Sequence, residues 1–203
     1  YECIRGSENN VLKRYYKTAQ IVKADIIVRI TGDCPLIDPK LVDECIEGFK
    51  NSDVDYFSNT YPRSFPDGLD VSVMSFESIK RSCVEAKSSY DREHVTSHII
   101  NSENFSKGSI KYKKDLSQTR WTVDNQRDLV IVKNIFKYFS PNIHFDWLEI
   151  IKLKKLKPEL FLENLKWQKK KKNVWKLDKN KTKKTKKLVQ MEKSCYKKDM
   201  KWF

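Results

Sequence analysis

Two strings place an aspartate where a phosphate-bearing ligand could be held. In VRITGDCPLIDP, residues 28–39, the apolar and β-branched run ADIIVRIT stops at Gly32 and delivers Asp33 on a turn fenced by Pro35. In RWTVDNQRDL a short apolar stretch again gives way to an acid, Asp124, just ahead of a helical pattern. Ligands of open α/β sheets gather beyond the carboxyl ends of the strands. Mg²⁺ takes one or two carboxylates and completes its shell with water and phosphate oxygens. Asp33 and Asp124, on two strands of one sheet, would face the same edge and could share such a cation. Each also has a plainer reading. Gly, Asp and Pro make turns, and cap statistics taken alone favour Asp124 as a helix N-cap.

Other polar groups could serve the same site. Arg5, Gly6 and Ser7 in RGSENN offer a guanidinium fork, a permissive backbone and a hydroxyl, although a turn before a helix explains them as well. In FPDGLD an Asp-Gly hairpin accounts for Asp67 and Gly68 but not for Asp70, which is read as opening the next strand. REHVTSH contributes Arg92, Glu93, His94 and His98. The two histidines are four apart and share a face of one helix, but Glu93 precedes His94, so the H-E-x-x-H zinc pattern is not met. The D-x-D at Asp53–Asp55 matches the metal motif of nucleotide-sugar glycosyltransferases. It stands before its strand, where a solvated strand entry is expected.

The elements that must position these groups alternate. Asn10 caps a helix with Leu12, Tyr15, Ala19 and Val22 on one face, and ADIIVRIT follows as a buried strand. Asp38 then Pro39 is a helix start, burying Leu41, Val42, Cys45, Ile46 and Phe49. VDYFSNT and VSVMS read as strands on either side of the loop YPRSFPDGLD, and Ser75 caps a helix to about Lys87. A helix is expected from Arg92 to about Asn101, short strands at IKYKKD and RWTV, a helix carrying Leu129, Val132, Phe136 and Phe139, and a last helix from about Asp146 to Pro158. Strands alternating with helices predict an α/β layered domain with a mainly parallel sheet.

Composition divides the chain. Of its 203 residues, 152–203 hold 20 lysines against 5 acids, whereas 1–151 hold 21 basic and 22 acidic residues. The positive excess therefore belongs to the tail. We expect a domain over 1–168 and a lysine-rich, disordered tail over 169–203, binding nucleic acid only non-specifically and with steep salt dependence. Five cysteines without C-x-x-C spacing argue for free thiols in a reducing cytoplasm. No apolar run approaches the ~20 residues that cross a membrane.

RGSENNVLKRYY, VRITGDCPLIDP, NTYPRSFPDGLDV, REHVT and RWTVDNQRDL stand in order, and together they resemble the SpsF-type cytidylyltransferase family of spore-coat polysaccharide synthesis, related to the acylneuraminate and CMP-KDO cytidylyltransferases. The resemblance runs to about residue 167 and implies a Rossmann-like three-layer α/β/α nucleotidyltransferase of GT-A type. It implies CTP, Mg²⁺, a sugar or sugar-acid substrate, and the homodimer common among related synthetases. It assigns Asp33 and Asp124 to the catalytic metal and Arg5, Ser7, Arg14 and Gly32 to the nucleotide. Asp70, Arg92, Glu93 and His94 fall, more loosely, on the sugar side. Family members open with a strand and a glycine-rich basic loop that this chain lacks. An N-terminally truncated record or a fragment inactive alone is therefore expected, with an open sheet edge. Two other functions stand beside this one: a glycosyltransferase working through Asp53 and Asp55, and a polyanion-binding protein working through the tail.

Overall fold

The computed structural model describes residues 3–162; the lysine-rich tail and its expected disorder lie outside the described residues. The elements run α1 (Val11–Val22), β1 (Ile26–Arg29), α2 (Pro39–Lys50), β2 (Tyr56–Ser58), β3 (Ser72–Ser75), α3 (Phe76–Glu85), α4 (Ser89–His94), α5 (Ser97–Asn101), β4 (Lys107–Ser109), α6 (Gln126–Phe139) and α7 (Trp147–Leu156), followed by a 3-10 turn at Pro158–Phe161.

The helix starts obey local chemistry. Asn10, Asp38 and Ser75 cap α1, α2 and α3 with their side chains, Pro39 fills the first turn of α2, and Asp146 with Glu149 forms a capping box on α7. Asp38 is buried and does more than cap. Its second oxygen accepts the Trp147 N–H at 3.0 Å, tying α2 to α7 across 109 residues.

The four described strands form one sheet in the order β1-β3-β2-β4. β3 is antiparallel to both β1 and β2, while β2 and β4 are parallel. β1, β2 and β4 therefore share one direction, but the reversed β3 lies between two of them and makes two of the three described ladders antiparallel, so the mainly parallel sheet expected is met only in part. The register puts Arg29, Ser58 and Ser72 side by side at one rim, where β1 and β2 leave the sheet and β3 enters it. At the opposite rim Tyr56 pairs with Met74 and with Lys107.

Successive residues of a strand point to opposite faces. Tyr56 and Met74 join Leu12, Ala19, Ile27, Ile79, Val95 and Ile99 in a core beneath α1, α3 and α5. Their neighbour Phe57 packs instead against α2, so closely that a Cβ at Gly48 would stand 2.5 Å from its ring. Helices thus cover both faces, giving the three layers expected.

Local details depart from the expectations. Only Ile27 of β1 is buried, because β1 is the outermost described strand and pairs with β3 alone among the described residues. The single helix expected over 92–101 is two, broken at Val95. That residue takes φ +61° and the His94 carbonyl accepts the Thr96 N–H at 2.6 Å, a tight three-residue turn that is strained for a β-branched side chain. His94 and His98 therefore do not share a helix. IKYKKD is not a strand: β4 precedes it, and pairing ends when Ile110 N–H meets the Ser58 carbonyl. RWTV is extended but joins no ladder. On α6 Val132 of the expected register is buried, with Ile131 and Ile135 beside it, while Leu129, Phe136 and Phe139 are only partly buried. β3 begins at Ser72, two residues after Asp70.

Candidate functional site

Asp33 follows β1 onto the strand-exit rim, and Asp70 approaches the same rim as β3 begins. The 59–71 loop that separates β2 from β3 is closed from inside by Asn59. Its buried amide donates to the Leu69 carbonyl at 2.6 Å and accepts the Val71 N–H at 2.9 Å. Asp67 sits on that loop, and a second extended segment, 119–123, is laid against it. Thr119 accepts the Asp67 N–H at 2.8 Å and Trp121 donates to the Asp67 carbonyl at 2.7 Å. Gly68 takes φ +108°, and a Cβ there would lie 2.8 Å from the Thr122 nitrogen, so only glycine permits this approach.

The segment then reaches β1's exit turn. Val123 donates its N–H to the Asp33 carbonyl at 2.8 Å. The backbone of Asp33 and the residue preceding Asp124 are thus in direct contact across 90 positions of sequence, and the two acids are brought to one rim. Asp124 is not the helix cap. Asn125 caps α6, accepting the Arg127 and Asp128 N–H groups, which leaves the Asp124 carboxylate free for other work.

Two arginines organise the rim's acids, and neither was singled out in the sequence. Arg63 forks onto Asp70 with two bonds of 2.6 Å and also faces Asp67 at 3.4 Å. Arg120 bridges Asp67 at 3.2 Å and Asp128 at 3.4 Å, and pairs with Asp124. Both guanidiniums are held above their ordinary pKa. Burial opposes the charge, but the bond to Asp70 for Arg63 and to Asp124 for Arg120 outweighs it. The signal was present: Arg63 and Arg120 each precede an aspartate by four residues. It was missed because such pairs usually mark helix surfaces, and neither segment is helical.

Asp33 has no cationic partner among the described residues; its carboxylate meets only the Cys34 thiol, at 3.6 Å. Cys34 is buried, and its thiol is pushed up to about 11 by desolvation, with the charges of Asp33 and Asp70 adding to the effect. It stays a neutral donor. Four aspartates (67, 70, 124 and 128) share Arg63 and Arg120, while Asp33 stands outside those pairs; even with Arg29 at the same rim, acids outnumber arginines there. That deficit and the all-oxygen donor set fit Mg²⁺. Among the described residues no group of three or more metal-ligating side chains comes together; Mg²⁺ bound to a phosphate ligand takes only one or two carboxylates.

The remaining candidates are dispersed. At the start of α1, Ser7 accepts the Asn10 N–H at 3.1 Å and its carbonyl faces Arg14 at 3.5 Å, while Arg5 is exposed beside them. Arg14 also lines a groove of about 400 Å³ against β1, with Ile4, Tyr15, Ala19 and Val28. Gly32 is exposed, and a Cβ there would meet nothing within 4 Å. Arg92, Glu93 and His94 lie exposed on α4, His94 packing on the Tyr90 ring, and no contact joins them to Asp70. His98 pairs with Glu85 at 3.1 Å. Asp55 of the D-x-D accepts from Ser106 and Ser78 at the rim opposite Asp33, which fits a structural clamp and not a metal ligand.

Comparison with known proteins identifies the family and the fold. A family model described as cytidylyltransferase matches residues 2–174. An uncharacterized protein of Methanocaldococcus jannaschii is 31% identical over 159 residues, covering 77% of this chain and 64% of that protein. The spore coat polysaccharide biosynthesis protein SpsF of Bacillus subtilis is 29% identical over 169 residues, covering 80% and 68%. A solved cytidylyltransferase structure from Leptospira borgpetersenii superposes with a TM-score of 0.74 at 31% identity, covering 77% of this chain and 67% of that one. The chain thus spans just under two thirds of the archaeal relative's length. With the family model spanning most of its length, this chain belongs to the cytidylyltransferase family.

Proposed function

We propose that the strand-exit rim is a cytidylyl-transfer site, moving CMP from CTP to a hydroxyl of a sugar or sugar acid for polysaccharide synthesis. The observation that carries this reading is the Val123–Asp33 backbone bond, which sets two acid-bearing turns from distant parts of a family member at one edge of the sheet. The name of the Bacillus relative supports the polysaccharide context. In the reaction the acceptor oxygen bonds to the α-phosphorus, the bond to the β-phosphate breaks, pyrophosphate leaves and the hydroxyl proton is released.

Asp33 and Asp124 would hold Mg²⁺, which when bound offsets phosphate charge and orients the displacement. The exposed backbone at Gly32, with open space where a side chain would be, lets a phosphate approach closely. Arg5, Ser7 and Arg14 bind the nucleotide from the start of α1. On the sugar side Asp70 acts by holding the Arg63 fork, and Arg92, Glu93 and His94 act from α4. Reading Asp53 and Asp55 as a glycosyltransferase motif gains nothing here, because Asp55 is already saturated.

The test is pyrophosphate release from CTP with Mg²⁺ and a panel of acidic and neutral sugars. Asp33→Asn and Asp124→Asn should each lower turnover about 100-fold or more, the loss of several kcal/mol of charge stabilisation. Near-wild-type turnover in both removes the metal assignment.

A further inference from the structure

Arg120 has partners of unequal kind. Asp128, with its side chain about 10% exposed, is anchored: one of its oxygens accepts from Arg120, from the Asp124 N–H at 3.1 Å and from Asn125 at 2.9 Å. Asp67 is fixed through its backbone to Thr119 and Trp121 and through its side chain to Arg63 as well. Asp124 differs from both. Its side chain is 46% exposed, and among the described residues its carboxylate is held by Arg120 alone, while its backbone stays pinned to Asp128.

We infer that Arg120 is a positioning residue that parks Asp124 until a divalent cation arrives, and that Asp124 then exchanges the guanidinium for the cation. The inference rests on the metal reading of Asp33 and Asp124. Three features of the geometry carry it. Arg120 keeps two anchored partners, so losing Asp124 does not leave a buried guanidinium unpaired, which would be costly. The Asp124 main chain is fixed on one side by Asp128 and on the other by the Val123–Asp33 bond, so the exchange needs only side-chain rotation. Without Arg120 the Asp124 carboxylate would face the other rim acids unscreened, and the site would repel itself whenever it stood empty. Arg120 therefore competes with the cation for Asp124 while holding that residue within reach of the rim.

The experiment is a double-mutant cycle read by Mn²⁺ binding to the full chain, with titration calorimetry and electron spin resonance as readouts and thermal melting as the check on folding. Arg120→Gln should tighten Mn²⁺ about threefold to tenfold, because the competitor is gone. In the Asp124→Asn background the same change should leave affinity within about twofold. Equal tightening in both backgrounds means general charge and overturns the parking role; so does weaker binding in Arg120→Gln alone. Asp33→Asn separates the two ideas. If it leaves Mn²⁺ affinity unchanged, the metal reading fails and takes this inference with it. If it weakens binding and the cycle is additive, the parking role alone fails. A measurement that leaves Arg120 intact covers misfolding of the glutamine variant: Mg²⁺ should shift the Arg120 guanidinium NMR resonance in the unmodified chain and not in Asp124→Asn. An unmoved resonance in the chain that binds the ion overturns the exchange.

Discussion

The two rims of the sheet use the same residue types to opposite ends. At the strand-entry rim Asp55 accepts from the Ser106 backbone and hydroxyl at 2.9 and 3.0 Å and from the Ser78 hydroxyl at 3.3 Å, and faces Arg81 at 3.5 Å. That one carboxylate clamps the start of β2 to β4 and α3. At the strand-exit rim acids outnumber arginines, one of them, Asp33, has no cation beside it among the described residues, and another, Asp124, is half exposed. An aspartate whose lone pairs are all occupied is part of the frame. An aspartate left in surplus on a rigid frame is available for chemistry.

The exit rim's surplus persists only because backbone contacts hold it in place, and the largest expected effect comes from breaking them. Gly68→Ala puts a methyl 2.8 Å from two backbone atoms at a positive φ. It should cost about 2–4 kcal/mol, the range of strain plus displaced packing, measured as a lowered midpoint in urea. A change below about 0.5 kcal/mol would mean that the 119–123 segment is free to move, and that the rim is not held by its backbone.

Much of this frame was legible in the sequence. Asn10, Asp38 with Pro39, Ser75 and Asp146 all mark true helix starts, because capping is a local contest between one side chain and the first free N–H groups. The turns that carry Asp33 and Asp124 are marked in the sequence because each follows a short apolar run. What stayed hidden depends on contacts distant in sequence. Arg63 and Arg120 gain meaning only when the 59–71 loop and the 119–123 segment lie side by side. Asn59, which closes that loop, looks like any polar residue after a strand. Val95 breaks a helix its neighbours favour, since its fully buried side chain joins the core, and tertiary packing overrides propensity there. The reversed β3 could not be read from periodicity, because alternation records burial and not direction.

A smaller effect sharpens the contrast between the rims. Asp55→Asn keeps the shape but gives up the charged acceptor, and should destabilise the chain by about 1–2 kcal/mol, the worth of hydrogen bonds to a charged group. Asp33→Asn should change stability by less than about 0.5 kcal/mol, as for a side chain away from any saturated network. The order reverses for pyrophosphate release, where Asp55→Asn stays near wild type. If Asp33→Asn proves the more destabilising of the two, Asp33 belongs to the frame and the distinction between the rims collapses.

The smallest effect is the pH dependence of the Asp55 clamp. Burial works against its charge, but the Ser106 and Ser78 bonds and Arg81 outweigh this and hold its pKa below the ordinary carboxylate value. The folded chain therefore binds this proton less readily than the unfolded chain. The stabilisation is fully present above the unfolded value, about 3.9, and is lost as pH falls through the lower folded value. The stability gap between the unmodified chain and Asp55→Asn should hold constant from pH 7 to about 5 and narrow steadily below about 4. Thermal melts at low ionic strength read it directly. Asp91 is also depressed, by the Ser88 and Ser97 hydroxyls, and steepens the acid limb of both chains equally, so it cancels in the difference. A gap that stays the same down to pH 3 would show that Asp55 holds the entry rim by shape rather than by charge, and saturation of the carboxylate would then no longer mark off the frame from the chemistry.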